Sequence, residues 1–261
     1  MIGALIFDVD GTLADTEEAH RAAFNAAFLD HGYDWYWTKR LYAKLLTVSG
    51  GKERLEHFIR TLALSTADKA QLFEMIPQLH TAKTRQYAEF VAAGRVPLRP
   101  GIARLIREAR ASGFKLAIAS TTTAANVEAL IGATLGGPAC EWFDVIAAGD
   151  EVARKKPASD IYELALKRLQ CATGRCVAFE DSANGVRAAT AVGLFTVATP
   201  TYWTAGQAFG DAALILEHLG DPDHPLSNVD ATKIGAPSLD LAGLTRYHRA
   251  WHAPSSARQL S

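Results

Sequence analysis

Two aspartates, Asp8 and Asp10, stand at the end of the apolar run that begins at Ala4. Residues i and i+2 of an extended segment point the same way, so the two carboxylates converge, and Gly11 lets the chain turn after them. Paired carboxylates can bind Mg²⁺ through hard oxygen ligands, or divide between them the roles of nucleophile and acid/base. The pair alone is just as typical of an Asp-Gly hairpin turn. A calcium loop is disfavoured, because the glycine comes too early and a strand precedes it.

Other polar groups follow three further apolar runs. A Ser/Thr series before a helical pattern supplies hydroxyls and backbone N–H groups that can bind an anion. A lysine pair could neutralise a phosphate or a carboxylate, and an acidic pair could coordinate a cation. These groups are Ser120 with Thr121 and Thr122, Lys156 beside Lys155, and Glu180 with Asp181.

Each of these groups also has an ordinary explanation: a helix N-cap, a solvated lysine pair, and an acidic first turn of a helix. The combination favours chemistry instead. All four strand ends carry a type of group that phosphoryl transfer needs, namely carboxylates for nucleophile and metal, and hydroxyl and lysine donors for the phosphoryl oxygens. The sequence therefore predicts a phosphoryl-transfer site.

The elements that must position these groups are short strands alternating with helices. The strand patterns are apolar on consecutive positions, as in buried parallel sheets, and parallel neighbours need crossover connections. We therefore expect a doubly wound, Rossmann-like α/β core. The predicted strands are Ala4 to Val9, Lys115 to Ala119, Val145 to Ala148, Cys176 to Phe179 and Leu194 to Ala198, and the predicted helices between them are Ile102 to Ala111, Ile161 to Leu169 and Ala183 to Val192.

Between the first two strands the chain has only helical patterns. Residues 15–94 are therefore interpreted as an inserted α-helical cap domain, while 1–14 and 95–235 form the core domain. Pro77 is expected to kink or restart the helix over Gln71 to Val91. The Gly- and Pro-rich stretch 219–238 is interpreted as a surface excursion, and 236–261 as an extension whose terminal helix packs on the core.

Composition narrows the class of protein. The 261 residues carry 27 Lys and Arg against 28 Asp and Glu, so no overall charge favours nucleic acid or an anionic membrane. Three cysteines without a CxxC pair make a zinc site improbable and suggest free thiols. No apolar run approaches the ~20 residues of a membrane span. We expect a cytoplasmic monomer with a small-molecule substrate.

The motifs and their order resemble the haloacid dehalogenase superfamily of phosphotransferases. The resemblance spans Ala4 to about Thr199 and includes the helical insertion of subclass I, directly after the first motif. The four motifs are Asp8-x-Asp10-Gly11-Thr12-Leu13, Ser120, Lys156, and Glu180-Asp181 with Gly185.

The resemblance implies a mechanism. Asp8 attacks phosphorus to form an aspartyl phosphate, and Asp10 protonates the leaving oxygen and then activates water. The family binds Mg²⁺ through the Asp8 side chain, the Asp10 backbone carbonyl and Asp181, with Glu180 nearby. Ser120, Thr121 and Lys156 would hold the transferring phosphoryl group, and the cap would close over the site.

Within the superfamily the chain is most similar to the CbbY-like branch, found beside Calvin-cycle genes, which hydrolyses xylulose 1,5-bisphosphate to xylulose 5-phosphate. The similar segments are Asp15 to His20, Thr47 to Arg54 and Lys155 to Tyr162. A sugar phosphate mutase of the β-phosphoglucomutase type and a phosphoglycolate phosphatase are the enzymatic alternatives. A regulatory protein on the same fold predicts a damaged motif, and all four are intact.

The cap residues suit a substrate with two anionic ends. Lys52 and Arg54 beside flexible Gly50-Gly51 could bind a second phosphate, although a solvated basic turn is the simpler explanation. Glu17 and His20 lie one helical turn apart and could contact sugar hydroxyls, or form an exposed pair. The full set of cap residues predicted to bind substrate is Glu17, His20, Tyr42, Gly51, Lys52, Arg54 and Lys83.

Overall fold

A computed structural model describes residues 2–253 of the chain. Within these residues, one sheet contains six strands in the order β3-β2-β1-β4-β5-β6, and every neighbouring pair is parallel. The first five strands were predicted and are confirmed with small shifts at their ends. The sixth carries too short an apolar pattern to be recognised. The strands are β1 (Ala4–Phe7), β2 (Lys115–Ala119), β3 (Val145–Ala147), β4 (Cys176–Glu180), β5 (Phe195–Ala198) and β6 (Leu214–Ile215).

Helices cover both faces of this sheet and fill the long connection after β1, so the doubly wound α/β fold with a helical insertion is confirmed. No helix among the described residues is long and apolar enough to cross a membrane. The α-helices are α1 (Glu17–Asp30), α2 (Lys39–Leu45), α3 (Gly51–Thr61), α4 (Thr66–Ala92), α5 (Ile102–Ala111), α6 (Ala124–Leu135), α7 (Asp160–Leu169), α8 (Ala183–Ala191), α9 (Asn228–Ile234) and α10 (Leu241–Trp251).

The two faces of the sheet differ in the size of their side chains. Leu5 and Phe7 of β1 point to the face covered by α5 and α6, where the core cluster is built from large residues. Ala4 and Ile6 point to the opposite face, which is rich in alanine and packs against α7 and α8. Successive residues of a strand alternate between faces, so burial on both sides explains the consecutive apolar positions of the strands.

Residues 17–92 comprise helices α1 to α4 with their loops and are here called the helical insert. They contain an aromatic cluster that includes Phe24, Trp37 and Tyr42. Helix α4 is continuous through Pro77, so the expectation that a helix restarts there is wrong. A proline inside a helix removes one backbone hydrogen-bond donor, which favours a kink or a break. Buried apolar residues lie on both sides of Pro77, with Ile76 before it and Leu79 and Tyr87 after it, and their contacts hold the two halves of α4 in one helix.

The chain after β6 is more ordered than the sequence indicates. The prediction of a surface excursion over 219–238 is wrong in part, because Leu226 and Ile234 are buried in the core cluster and α9 lies within this stretch. Leu244 of α10 is fully buried in the same cluster. The remainder of the predicted extension, residues 254–261, lies outside the described residues.

The strand register brings the functional residues to one edge of the sheet. Phe7 pairs with Ile118 on one side and with Phe179 on the other. The residues that follow these three positions therefore emerge side by side at the carboxyl ends of the strands. In open α/β sheets ligands bind at this edge, where the strand order reverses.

Candidate active site

Asp8 is buried directly after β1, at the centre of the site. Its Oδ1 accepts a 2.6 Å hydrogen bond from Lys156 Nζ, and its Oδ2 accepts a 3.4 Å bond from Thr12 Oγ1. Burial raises the pKa of Asp8 to about 7, although the Lys156 ammonium acts in the opposite direction. The charge on Asp8 therefore depends on a cation held beside it.

Lys156 links the carboxylates of two strands. Its Nζ donates to Asp8 Oδ1 at 2.6 Å, to Glu180 Oε1 at 2.6 Å and to the Ala119 carbonyl at 2.9 Å, so all three ammonium protons are used. Burial acts to lower the pKa of Lys156, but the two carboxylates outweigh it and raise the pKa above its ordinary value. Tyr162 of α7 donates a further 2.6 Å hydrogen bond to Glu180 Oε1.

Three buried carboxylates form a group with the chemistry of a metal site. Ligand oxygens of Asp8, Glu180 and Asp181 all lie within 4.8 Å of one another. Burial and the neighbouring acids raise the pKa of Asp181 well above its usual range, and Glu180 Oε2 is buried without a hydrogen-bond partner in the described residues. Lys156 is the bonded counter-charge of two of these three acids, so hard oxygen donors with a remaining negative charge are left, and these suit Mg²⁺.

Two glycines allow the three carboxylates to lie this close together. A Cβ on Gly185 of α8 would overlap the Glu180 carboxylate, and a Cβ on Gly11 would overlap Asp181 Oδ2. Gly11 also has a φ of +81°, which favours glycine over other residues. The glycines of the first and fourth motifs are therefore explained by the space that the carboxylates occupy.

Asp10 points towards the helical insert and not into the carboxylate group. Its Oδ1 accepts a 2.6 Å hydrogen bond from Thr16 Oγ1 and lies 2.7 Å from His20 Nε2, while His20 Nδ1 lies 2.7 Å from Lys83 Nζ. A lysine ammonium can only donate, so Nδ1 accepts and Nε2–H donates to Asp10. A metal role for Asp10 would therefore use its backbone carbonyl, as the family resemblance implies.

The pKa shifts of these three residues agree with the donor and acceptor roles assigned to them. Burial alone would raise the pKa of Asp10, but His20, Thr16 and Lys83 outweigh it and hold the pKa below its usual range. Burial and the nearby Lys83 lower the pKa of His20, which favours the neutral ring. Burial lowers the pKa of Lys83 to about 8.

The residues predicted to bind an anion lie in the loop after β2. Ser120 is buried and its Oγ accepts a 3.3 Å bond from the Thr122 backbone N–H, while Thr123 caps the N-terminus of α6. Gly149 packs against this loop so closely that a Cβ there would overlap the Thr121 carbonyl. Thr121 and Thr122 line the same cavity as Asp8.

In the helical insert, three predicted residues form one buried group, here called the distal clamp: Glu17, Tyr42 and Arg54. The Tyr42 hydroxyl donates to Glu17 Oε2 at 2.7 Å and accepts from Arg54 Nη1 at 3.0 Å. The Arg54 guanidinium also lies over the Tyr42 ring, 5.2 Å from its centroid. Arg54 Nε is buried with no partner in the described residues, so this cation has an unused donor.

Lys52 and Gly51 lie at the opening of the cavity. Lys52 Nζ is 3.7 Å from Asp150 Oδ1, and both side chains are about half-exposed, so this pair contributes little to stability. A Cβ on Gly51 would lie 2.7 Å from His80 Nε2, which explains a small residue at this position.

One cavity between the core and the helical insert collects most of the predicted site residues. Three predicted residues, Ser120, Tyr42 and Glu180, are buried and do not line it. The predicted residues that line the cavity are Asp8, Asp10, Glu17, His20, Gly51, Lys52, Arg54, Lys83, Thr121, Thr122, Lys156 and Asp181.

Sequence reasoning missed other members of the site. His80 lines the cavity, and burial together with Lys83 and Lys52 lowers its pKa to about 4. Its position one helical turn before Lys83 was a usable signal. Tyr162 carried no signal, because its contact with Glu180 joins two elements whose spacing is not visible in the sequence.

Comparison with known proteins gives the family. Residues 2–193 match the haloacid dehalogenase-like hydrolase family. Protein CbbY of Cupriavidus necator is 51 % identical over 249 residues, covering 95 % of this chain and 96 % of that protein.

Solved structures agree with the sequence comparison. A crystal structure of CbbY from Rhodobacter sphaeroides in complex with phosphate has a TM-score of 0.79 and 45 % identity, covering 94 % of this chain and 100 % of that one. A variant of the same protein in complex with xylulose-(1,5)bisphosphate has a TM-score of 0.79 and 44 % identity, with 94 % and 99 % covered. The chain therefore belongs to the haloacid dehalogenase-like hydrolases, in the branch of the CbbY proteins, and is a phosphatase.

Proposed function

We propose that this protein is a Mg²⁺-dependent sugar bisphosphate phosphatase that converts xylulose 1,5-bisphosphate to xylulose 5-phosphate and phosphate through an aspartyl phosphate. The main support is the cavity, which joins the Asp8 carboxylate to two buried cations of the helical insert, Arg54 and Lys83. A substrate with an anionic group at each end would satisfy both ends of such a cavity. A related protein has been crystallised with xylulose-(1,5)bisphosphate.

The distal clamp supports a second phosphate. Arg54 hydrogen-bonds a phenol and the Val48 carbonyl, and neither partner carries a negative charge. A buried guanidinium without a directly bonded carboxylate is costly, and a phosphate could bind its unused donor. Glu17 then remains available to accept from sugar hydroxyls, because an ionised carboxylate has more acceptor positions than the single bond from Tyr42 uses.

The first half of the proposed reaction uses Asp8 and Asp10. An Asp8 oxygen attacks phosphorus, the bond between phosphorus and the sugar oxygen breaks, and Asp10 gives that oxygen a proton. Asp10 has a lowered pKa in the free protein. The arriving phosphoryl group would repel its charge and raise the pKa, which would favour proton uptake before the transfer.

The second half releases phosphate. Asp10, now ionised, takes a proton from water as the water oxygen attacks phosphorus, and the bond between phosphorus and Asp8 breaks. Lys156 stays charged throughout and stabilises the oxygens around Asp8. The helical insert covers the cavity and limits access of bulk water.

Mg²⁺ fits the donor set of the site. Asp8, Glu180 and Asp181 would hold it, together with the Asp10 backbone carbonyl, and Glu180 Oε2 offers an unpaired oxygen. The ion would supply positive charge against the phosphoryl oxygens and neutralise the crowded acids.

A substrate panel tests the proposal. The purified protein is incubated with Mg²⁺ or with a chelator and with sugar mono- and bisphosphates, and free phosphate and sugar products are both measured. We expect Mg²⁺-dependent phosphate release with a strong preference for xylulose 1,5-bisphosphate. Isomerised sugar phosphate without phosphate release would replace the proposal with a mutase, and preference for a small monophosphate such as phosphoglycolate would also refute it.

Arg54→Ala tests the second phosphate. We expect kcat/KM for the bisphosphate to fall about 100-fold, because a buried charge contact is lost, and kcat/KM for a sugar monophosphate to change much less. Arg60→Ala is the matched control, since Arg60 lies on the same helix but pairs with Glu56 on the surface. Equal losses for both classes of substrate would remove the proposed role of Arg54.

A further inference from the structure

Trp203 belongs to the core by sequence and to the helical insert by packing. It follows β5, yet its ring is buried in the aromatic cluster of the insert. The ring meets Tyr42 edge-on, with centroids 5.6 Å apart and an interplanar angle of 88°. The preceding residue, Tyr202, is 78 % exposed, so the turn directs one aromatic side chain into the insert and the other into solvent.

The turn that carries Trp203 is bound to the carboxylate group. The Thr204 hydroxyl donates to Asp181 Oδ2 at 3.3 Å and accepts from the Thr201 backbone N–H at 2.9 Å, while Thr204 N donates to the Thr201 carbonyl at 3.1 Å. The Trp203 backbone N–H donates to the Thr201 hydroxyl at 3.2 Å. These bonds fix the position of the indole relative to Asp181.

On the other side, Trp203 contacts the residue at the centre of the distal clamp. The Tyr42 hydroxyl joins Glu17 and Arg54, and the Tyr42 ring is held between Trp203 and Trp37, whose centroid is 5.9 Å away. Edge-to-face aromatic contacts of this kind orient rings as well as burying area. The direction of the Tyr42 hydroxyl therefore depends on contact with Trp203, a residue of the core.

Tyr87 and Val91 of α4 also join the insert to the core through apolar contacts. The contacts that Thr47, Ser49 and Lys52 make with the core are polar. Asn184 Nδ2 donates to the Thr47 carbonyl at 3.0 Å and to Ser49 Oγ at 3.2 Å, and Lys52 lies near Asp150. These contacts can be replaced by water. Withdrawal of Trp203 from the cluster would expose apolar area and leave the Tyr42 ring without one of its walls.

We propose that Trp203 is a positioning residue that makes binding of the second phosphate depend on seating of the helical insert against the core. It orients Tyr42, and through Tyr42 it orients Arg54 and Glu17, only when the insert lies against the turn bound to Asp181. The inference rests on the proposed function and deepens it, because it names the residue by which a bisphosphate is distinguished from a monophosphate.

The test measures binding without turnover, by isothermal titration in an Asp8→Asn background with Mg²⁺. The ligands are xylulose 1,5-bisphosphate and xylulose 1-phosphate, which lacks the second phosphate. We expect Trp203→Ala to weaken binding of the bisphosphate by about tenfold or more and of the monophosphate by less than about threefold. Trp203→Phe keeps an aromatic edge and should restore binding of the bisphosphate. Leu29→Ala, at a 78 % exposed position of the insert, is the control and should change neither affinity.

The outcomes separate this inference from the proposed function. Equal weakening of both ligands by Trp203→Ala, or no weakening of the bisphosphate, overturns the inference while the function stands. If the unsubstituted protein with Mg²⁺ releases no phosphate from xylulose 1,5-bisphosphate, the proposed function fails and the inference fails with it. Should Trp203→Ala not fold, as judged by circular dichroism, Trp203→Leu retains apolar volume without a ring and is held to the same two criteria.

Discussion

Asp8 experiences opposing electrostatic influences, and their balance fits the nucleophilic role proposed for this aspartate. Burial raises its pKa to about 7, whereas Lys156 at 2.6 Å favours the charged form. Asp10, two residues later, has its pKa lowered because His20, Thr16 and Lys83 outweigh burial. Two aspartates of one motif thus have environments that separate their roles, which is how active sites assign acid and base chemistry.

Replacing Asp8 by asparagine tests the nucleophile. Asp8→Asn should lower kcat by about 10⁴-fold or more, because an amide cannot form the covalent intermediate. Circular dichroism should be unchanged. Asp15→Asn, at an exposed position near the same loop, is the control and should retain activity. Substantial phosphate release by Asp8→Asn would show that another residue attacks phosphorus.

Lys83 should produce an alkaline limit in kcat/KM for the bisphosphate. Burial lowers its pKa to about 8, so the cation is present below pH 8 and is lost as the pH rises through that value. We expect kcat/KM to fall above pH 8, by roughly tenfold per pH unit. In Lys83→Arg the fall should move to higher pH, because a guanidinium keeps its charge. A limb that stays at pH 8 in this variant would assign it to another group.

At the level of elements, each motif lies in the connection between the carboxyl end of a strand and the next α-helix. Pairing of Phe7 with Ile118 and Phe179 sets the register, and α6 and α8 then begin directly beside the site. Helix α8 can approach the carboxylate group only because Gly185 has no side chain. The glycine of the fourth motif is thus a packing requirement imposed by Glu180.

Gly185→Ala tests that requirement. The added methyl group would displace the Glu180 carboxylate, so we expect the Mg²⁺ concentration for half-maximal activity to rise about tenfold. The increase in melting temperature on adding Mg²⁺ should shrink as well, which measures binding without turnover. Gly132→Ala is the control: Gly132 lies in α6 with nothing within 4 Å of a new Cβ, and should leave both quantities unchanged. An unaltered Mg²⁺ requirement in Gly185→Ala would contradict the packing argument.

At the scale of the whole molecule, the segment after β5 contributes more buried apolar residues than its sequence pattern predicts. Leu226, Ile234 and Leu244 complete the core cluster on one face of the sheet, and the turn at Trp203 packs into the helical insert. The last described part of the chain is therefore packed in the same core cluster as the sheet whose strand ends carry the predicted site residues.

Leu244→Ala tests the contribution of α10. Leu244 is fully buried, so the substitution should lower the free energy of unfolding by about 2–5 kcal/mol, measured by urea denaturation. Activity under native conditions should be unchanged, because no residue of α10 lines the cavity. Leu29→Ala is the control: Leu29 is 78 % exposed and its loss should cost little. Equal stability of the two variants would show that α10 is not part of the core.

The sequence by itself determined the core strands, the helical insertion and the four motifs, because these depend on local periodicity and on residue types at the ends of strands. It also determined the chemistry, since carboxylates, hydroxyls and a lysine in that order leave few alternatives to phosphoryl transfer. The continuity of α4 through Pro77 and the burial of residues after β6 could not be predicted, because tertiary packing overrides local propensity there.

Only the tertiary structure decided which groups meet across elements. The contacts of Tyr162 with Glu180, of His20 with Lys83 and of Trp203 with Tyr42 join residues from different elements. No spacing in the sequence encodes such contacts, because they depend on how the helical insert and the sheet pack against each other. The same packing buries Arg54 with an unused donor, and that cation is the basis of the proposal that the substrate carries two phosphates.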